Sequence, residues 1–234
     1  MTHRLYYHDP YLQAFDATIS RVEPRGDRLG VWLDQTAFYP TSGGQPFDTG
    51  TLGPSGTSAS LRVVDVVDED DGTIVQIVEP GTLTLESGQA VHGVIDWPRR
   101  FDHMQQHTGQ HVLSAAIARL FGVATVSFHL GAAVSTIDVA RELSLAEVTA
   151  AENEANRVVW EDRPVAIRFA SAEEAAAMPL RKEPARGGTL RLVDVDKFDL
   201  SACGGTHVAR TGGIGVVAVA SWERFKGGQR ISFL

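Results

Sequence analysis

A single cysteine stands among 234 residues, so no internal disulfide can form and the disulfide-stapled secreted folds are excluded. No apolar run reaches the roughly 18 residues that a bilayer-spanning helix needs, and the amino terminus lacks the basic-then-apolar order of a secretory signal. A cytoplasmic protein without membrane contact is the expectation. Basic residues are also in deficit, 21 Lys+Arg against 29 Asp+Glu for a formal charge of −8. That balance argues against phosphate binding over the whole surface, because such binders carry a basic excess that releases counterions. The deficit is uneven: residues 1–180 hold 12 basic and 24 acidic residues, net −12, whereas 181–234 hold 9 and 5, net +4. An anionic partner is therefore expected on the last quarter of the chain. With 43% hydrophobic and 21% charged residues, the remainder is ordinary globular composition, enough for one large or two modest domains.

Up to Ile95 the chain alternates short extended segments with turn residues, as in 29–34, 61–67, 73–78 and 89–95, which predicts an all-β domain. The acidic run Asp68 to Asp71 with Gly72 reads as a hairpin tip. Residues 38–46 hold too much Gly and Pro for regular structure and predict a shaped loop. At Asp96-Trp97-Pro98 the character changes: Asp96 suits a helix N-cap and Pro98 a first helical turn. The division is therefore placed at 1–95 and 96–234. A helix is predicted over 99–121, with Met104, Leu113, Ile117 and Leu120 mostly at helical spacing and Gly122 ending it. A second helix starts at the capping-box pair Ser144 and Glu147 and runs toward Pro164. Strands at 165–169, 190–195, 214–222 and 230–234, with a short helix after Ser171, make the carboxy-terminal domain α+β.

His107 and His111 lie four apart on the predicted helix, so both imidazoles leave the same face and can share one cation. Cys203 and His207 repeat that spacing around Gly204 and Gly205, which let the backbone turn tightly. Together they form a His-His-Cys-His set. Thiolate and imidazole favour zinc over magnesium or calcium, and four such donors match its tetrahedral preference. Thr108, not Glu, follows His107, so the general base of a zinc metalloprotease is absent.

The stretch Arg99-Arg100-Phe101-Asp102-His103-Met104-Gln105-Gln106-His107-Thr108-Gly109-Gln110-His111, with Cys203-Gly204-Gly205-Thr206-His207-Val208, resembles the editing domain of alanyl-tRNA synthetase and its free-standing relatives, the AlaX proteins. The loop from Phe38-Tyr39-Pro40 to Gly43-Gly44-Gln45, followed by Asp48 and Gly50, resembles the glycine-bearing loop of the small β-barrel preceding that domain. Thr211-Gly212-Gly213-Ile214-Gly215 and Gly228-Gln229-Arg230-Ile231 agree as well. The resemblance covers nearly the whole chain. It implies an N-terminal β-barrel joined to an α+β editing domain, with zinc held by His107, His111, Cys203 and His207. It also implies trans hydrolysis of the ester joining serine, and in some members glycine, to the 3′ adenosine of tRNA(Ala). No obligate protein partner is expected.

Within that expectation Thr108, Gln110, Ser127 and His129 are candidates for the catalytic centre, and Thr125, at a position alternating with Ser127 and His129 on a predicted strand, for contact with the amino acid. Gly43, Gly44 and Gln45 are expected to approach the substrate through their backbone, and His103 to stay outside the ligand set as a residue of the surface or the metal's surroundings. Many synthetase editing domains place an acidic residue two before the cysteine. Ser201 stands there instead, and Asp199 is the candidate to replace it. Arg181, Lys182, Arg186, Arg224, Lys226 and Arg230 are candidates for acceptor-stem phosphates, with Arg191 and Arg210 as further choices. Two other readings stay open: a non-catalytic tRNA-binding module with structural zinc, and a zinc hydrolase of another small ester.

Overall fold

In the computed structural model, which describes residues 1–131, 133–181 and 188–234, the chain divides into two units, Met1–Asp102 and His103–Leu234. The first holds β1 (His3–Arg4), β2 (Ala14–Arg25), β3 (Arg28–Leu33), β4 (Gln35–Thr36), β5 (Gly50–Pro54), β6 (Leu61–Asp68), β7 (Ile74–Val78) and β8 (Ala90–Ile95). Six of these close into a barrel in the order β2-β3-β7-β6-β5-β8, while β1 pairs in parallel with β4. Closure leaves the barrel no open edge. Strand β2 shows why it forms: Phe15, Ala17 and Ile19 are buried while Asp16, Thr18 and Ser20 between them face solvent. With Val31, Leu33, Phe38, Leu52, Val63, Val66, Ile74, Val78 and Val91 they fill the interior. Each of the larger side chains among them contributes roughly 1.5–3 kcal/mol on burial. The predicted tip at Asp68–Gly72 is the β6–β7 hairpin, where Glu69 and Thr73 share a backbone bond at 2.9 Å and Gly72 takes φ +79°.

The loop after β4 is shaped as its composition predicts. Ser42 and Gln45 exchange two backbone hydrogen bonds, 3.1 and 3.0 Å, around Gly43 at φ +55° and Gly44 at φ +87°. A Cβ on Gly43 would meet nothing within 4 Å. The backbone conformation, not crowding, is what requires glycine there.

The loop's far side is tied down by a fully buried ion pair. The Arg100 guanidinium binds the Asp48 carboxylate through Nε and Nη2 and donates through Nη1 to the Pro10 carbonyl at 2.8 Å. Asp48 also accepts from the Tyr39 amide at 2.6 Å.

Helix α1 (Trp97–Phe121) begins where the Arg100 amide bonds the Asp96 carbonyl, with Pro98 in its first turn. It runs into the second unit, which also holds β9 (Thr125–His129), β10 (Ser135–Val139), α2 (Leu145–Trp160), β11 (Val165–Ala170), α3 (Ala172–Ala176), β12 (Leu190–Val195), β13 (Asp199–Ala202), β14 (Val219–Phe225) and β15 (Gly228–Phe233). Two antiparallel sheets result, β14-β15-β10-β9 and β11-β12-β13. Ser144 and Glu147 cap α2 reciprocally, and Ser171 and Glu174 do the same for α3. The strand expected over 214–222 starts only at Val219. Gly215 takes φ +87°, and the Asn156 side chain on α2 occupies both the N–H and the carbonyl of Val217, which a strand would need for its ladder.

Candidate metal centre

Helix α1 is unusual in burying polar as well as apolar faces between His103 and Ile117. Each buried polar side chain then needs a partner. His107, His111 and His207 are no more than 4% exposed. With Cys203 they bring one donor atom each to within 4.8 Å of one another. Cys203 Sγ lies 3.5 Å from His107 Nε2 and 3.3 Å from His207 Nε2. Bonds of 2.0–2.3 Å to a tetrahedral ion would place donors about 3.3–3.8 Å apart, so these separations fit. The four residues can hold a metal ion.

The surroundings orient the donors. Asp199 Oδ2 lies 3.0 Å from His111 Nδ1. A carboxylate only accepts, so Nδ1 carries the proton and Nε2 is left to face the cluster. Asp199 is itself held by Arg181 Nε at 2.6 Å and by the Ser201 hydroxyl. Thr108 does the equivalent for His207. Its hydroxyl donates to the Met104 carbonyl at 2.8 Å and accepts from the Val208 amide at 3.1 Å. Having one proton to give, it must accept from His207 Nδ1 at 3.2 Å, which turns the Nε2 lone pair toward Cys203.

The charges agree with this geometry. Burial raises the Cys203 thiol, but the surrounding histidines, His107, His207 and the protonated His111, outweigh it and hold the group well below its ordinary value. Burial lowers His107, and burial lowers His207 to about 3. Burial also opposes a charge on His111, yet the bonds to Asp199 and Cys203 prevail and raise it to about 9. A thiolate and two neutral imidazoles are ready for a cation, which would replace the His111 Nε2 proton.

Comparison with known proteins decides the family. Residues 11–99 match the family model for class II (A) tRNA synthetases, and residues 190–232 that for the threonyl and alanyl tRNA synthetase second additional domain. An alanyl-tRNA editing protein AlaX-M of Methanosarcina acetivorans is 37% identical over 225 residues, covering 92% of this chain and 90% of the relative. The chain belongs to the AlaX family. AlaX-L of Pyrococcus horikoshii is 36% identical over 236 residues, all of this chain but 58% of that protein. The alanine–tRNA ligase of Pyrococcus abyssi is 38% identical over 243 residues. This AlaX chain thus spans little more than half of AlaX-L and about a quarter (26%) of the ligase.

The other predicted residues of the AlaX chain fall into distinct places. Gln110 is 2% exposed and donates to Ser114 Oγ at 2.8 Å, which Thr125 Oγ1 also reaches at 2.8 Å. Gln110 Oε1 is buried with no partner among the described residues. Ser127 and His129 share a face, but Thr125 does not join them as the alternation expected. A register shift between Asp138 and Val139 pairs Val139 with Thr125 but Asp138 with Ser127, leaving Val126 as the extra residue. Phe128 consequently lies against the metal cluster, its ring 5.1 Å from that of His107, while Ser127 bonds Asp138 Oδ2 at 2.6 Å and His129 is exposed. His103, allowed a place at the surface, is buried at 3% exposure.

Among the expected phosphate contacts, Arg181 and Arg230 pair with Asp199 and Asp138 and are 18% and 25% exposed. Arg224 is 84% exposed beside Glu142, and Lys226 is exposed at the β14–β15 turn. Lys182 and Arg186 lie outside the described residues. Gly43, Gly44 and Gln45 form the turn already described in the first unit. Sequence reasoning missed Phe128 and Ser114, which carry no pattern, and offered Arg191 as a further choice for RNA phosphates although its strand context, Leu190 to Val195, is buried.

Gly109 supplies a check on α1. A Cβ there would sit 3.5 Å from Ile214 and 3.6 Å from Val217, ordinary contact distances. Gly109→Ala should therefore keep the metal set and raise stability by about 0.5–1 kcal/mol, since glycine weakens a helix interior. Chemical denaturation measures it, and a loss of stability would mean the helix packs tighter than described.

Proposed function

We propose that this chain is a zinc-dependent aminoacyl-tRNA deacylase that hydrolyses the ester of Ser-tRNA(Ala), with Gly-tRNA(Ala) as a second substrate to be tested. It would act as a free-standing factor on the charged tRNA pool of the cytoplasm. The observation that carries this is the His107, His111, Cys203 and His207 cluster in an AlaX chain. Three imidazoles and a thiolate are donors that favour zinc. On this reading residues 1–95 serve as the barrel domain and 96–234 as the editing domain.

An aminoacyl ester is already activated, so its hydrolysis needs a placed water and a stabilised oxyanion more than a covalent nucleophile. When bound, zinc would supply a fixed positive charge that orients the substrate. The chain's residues do the rest. Asp199 and Thr108 set the ring tautomers of His111 and His207 and are fully engaged in doing so. Gln110 is assigned the amino acid: its buried Oε1 lacks a partner among the described residues. That state costs about 1–3 kcal/mol, and a serine hydroxyl would relieve it whereas an alanine methyl would not. Thr125 supports Gln110 through Ser114. Arg224 and Lys226 are the exposed cations assigned to RNA phosphates.

The test is a time course of amino acid release from Ser-tRNA(Ala), Gly-tRNA(Ala) and Ala-tRNA(Ala), before and after chelation. Serine release with alanine spared, abolished by chelator, is the expected result. Binding of tRNA without turnover would favour the structural-zinc module, and equal turnover of a free serine ester would favour a general esterase.

A further inference from the structure

Arg191 is 7% exposed, beside the cysteine yet not a ligand. Its Nη1 donates to two carbonyls of one turn, Cys203 O at 2.7 Å and Gly205 O at 2.9 Å. Its own carbonyl accepts from the Cys203 amide at 3.0 Å. The cysteine is thus gripped from both sides of its peptide unit. On the other side of the turn the Gly205 amide points at Cys203 Sγ, 3.4 Å away. Two carbonyl dipoles converging on one point repel each other, and in a buried site each would be left without water. A guanidinium answers both at once and holds its planar geometry while doing so. With both carbonyls fixed toward Arg191, the sulfur, which accepts from the Gly205 amide, is turned toward His107 and His207.

We propose that Arg191 is a positioning residue that keeps the Cys203 thiolate on the metal and so holds the site closed with four protein donors. This rests on the reading of the cluster as a metal centre. The consequence is specific: Cys203 would stay a donor to a bound ion and not give way to water, because the turn that carries the sulfur is pinned independently of any ion.

Cobalt(II)-substituted and zinc-loaded proteins test it, using wild type, Arg191→Met, Arg191→Lys and Cys203→Ser. Wild type should bind one equivalent and show thiolate-to-cobalt absorption; if it binds no ion, the metal reading fails and this proposal with it. Arg191→Met should lose about 10–100-fold in zinc affinity by chelator competition, the range found when residues that orient ligands are removed, and the thiolate band should fall with it. Arg191→Lys, which keeps a donor and the charge, should be intermediate and carries the same test if Arg191→Met does not fold. In a Cys203→Ser background Arg191→Met should cost no further affinity. Wild-type affinity with a full thiolate band in Arg191→Met, or an equal loss in the Cys203→Ser background, overturns the proposal while leaving the metal reading standing.

Discussion

His111→Ala should leave the purified protein with little zinc and no measurable serine release. On the proposed reading the imidazole supplies one of four donors, and its loss cannot be made good from inside the cluster. Ser201 and Arg181 are bound to Asp199, and Thr108 to His207. Removing a residue that merely orients a ligand typically lowers metal affinity about 10–100-fold, so deletion of a ligand should exceed about 100-fold. Asp199→Asn separates orientation from ligation. The neutral amide can still accept from His111 Nδ1 but gives up the charge that favours the protonated nitrogen there. Its affinity should fall into that 10–100-fold range and its activity in proportion. Elemental analysis after dialysis and the release assay provide both readings. A full equivalent of metal in His111→Ala would remove the residue from the ligand set.

The second large effect belongs to the Arg100–Asp48 pair, both side chains 0% exposed. Arg100→Met should destabilise the protein by about 3–5 kcal/mol, because it leaves the Asp48 carboxylate buried without its counter-charge. The Pro10 and Ala37 carbonyls lose their donor as well. For a chain of this size that corresponds to a fall in melting temperature on the order of 10 °C. Adding Asp48→Asn removes the orphaned charge, so the double variant should be more stable than Arg100→Met alone, although the Tyr39 amide keeps only a neutral acceptor. Strictly additive losses in calorimetry would show that the pair contributes nothing as a pair.

Much of this architecture was legible because local signals and tertiary demands coincide. Ser144 with Glu147 announces a helix start that forms as the pattern requires, and the short helix expected after Ser171 forms with a capping box of its own. The four-residue spacing of His107 and His111 becomes shared geometry as soon as a helix forms. Other features depend on partners distant in sequence. Strands β10 and β13 bury Ser135, Asp138, Asp199 and Ser201, polar residues that disguise them until a neighbouring strand or ion pair satisfies them. The bulge that sends Phe128 rather than Ser127 toward His107 arises from pairing with β10, and nothing local to Thr125–His129 encodes it. Arg191 was misjudged for the same reason. Charge suggests solvent, and only the carbonyls of Cys203 and Gly205 explain its burial.

His107 and the sulfur that faces it are separated by 96 positions. During synthesis the helical histidine pair emerges first and waits, its rings at most half a site, while about another hundred residues leave the ribosome. An ion captured early by that pair has only two of its four donors and is easily lost to cellular chelators. If the cluster holds an ion as proposed, lasting capture awaits the emergence of Cys203 and His207, and metal supply would act late on the nascent protein, when the returning turn closes the chain on itself.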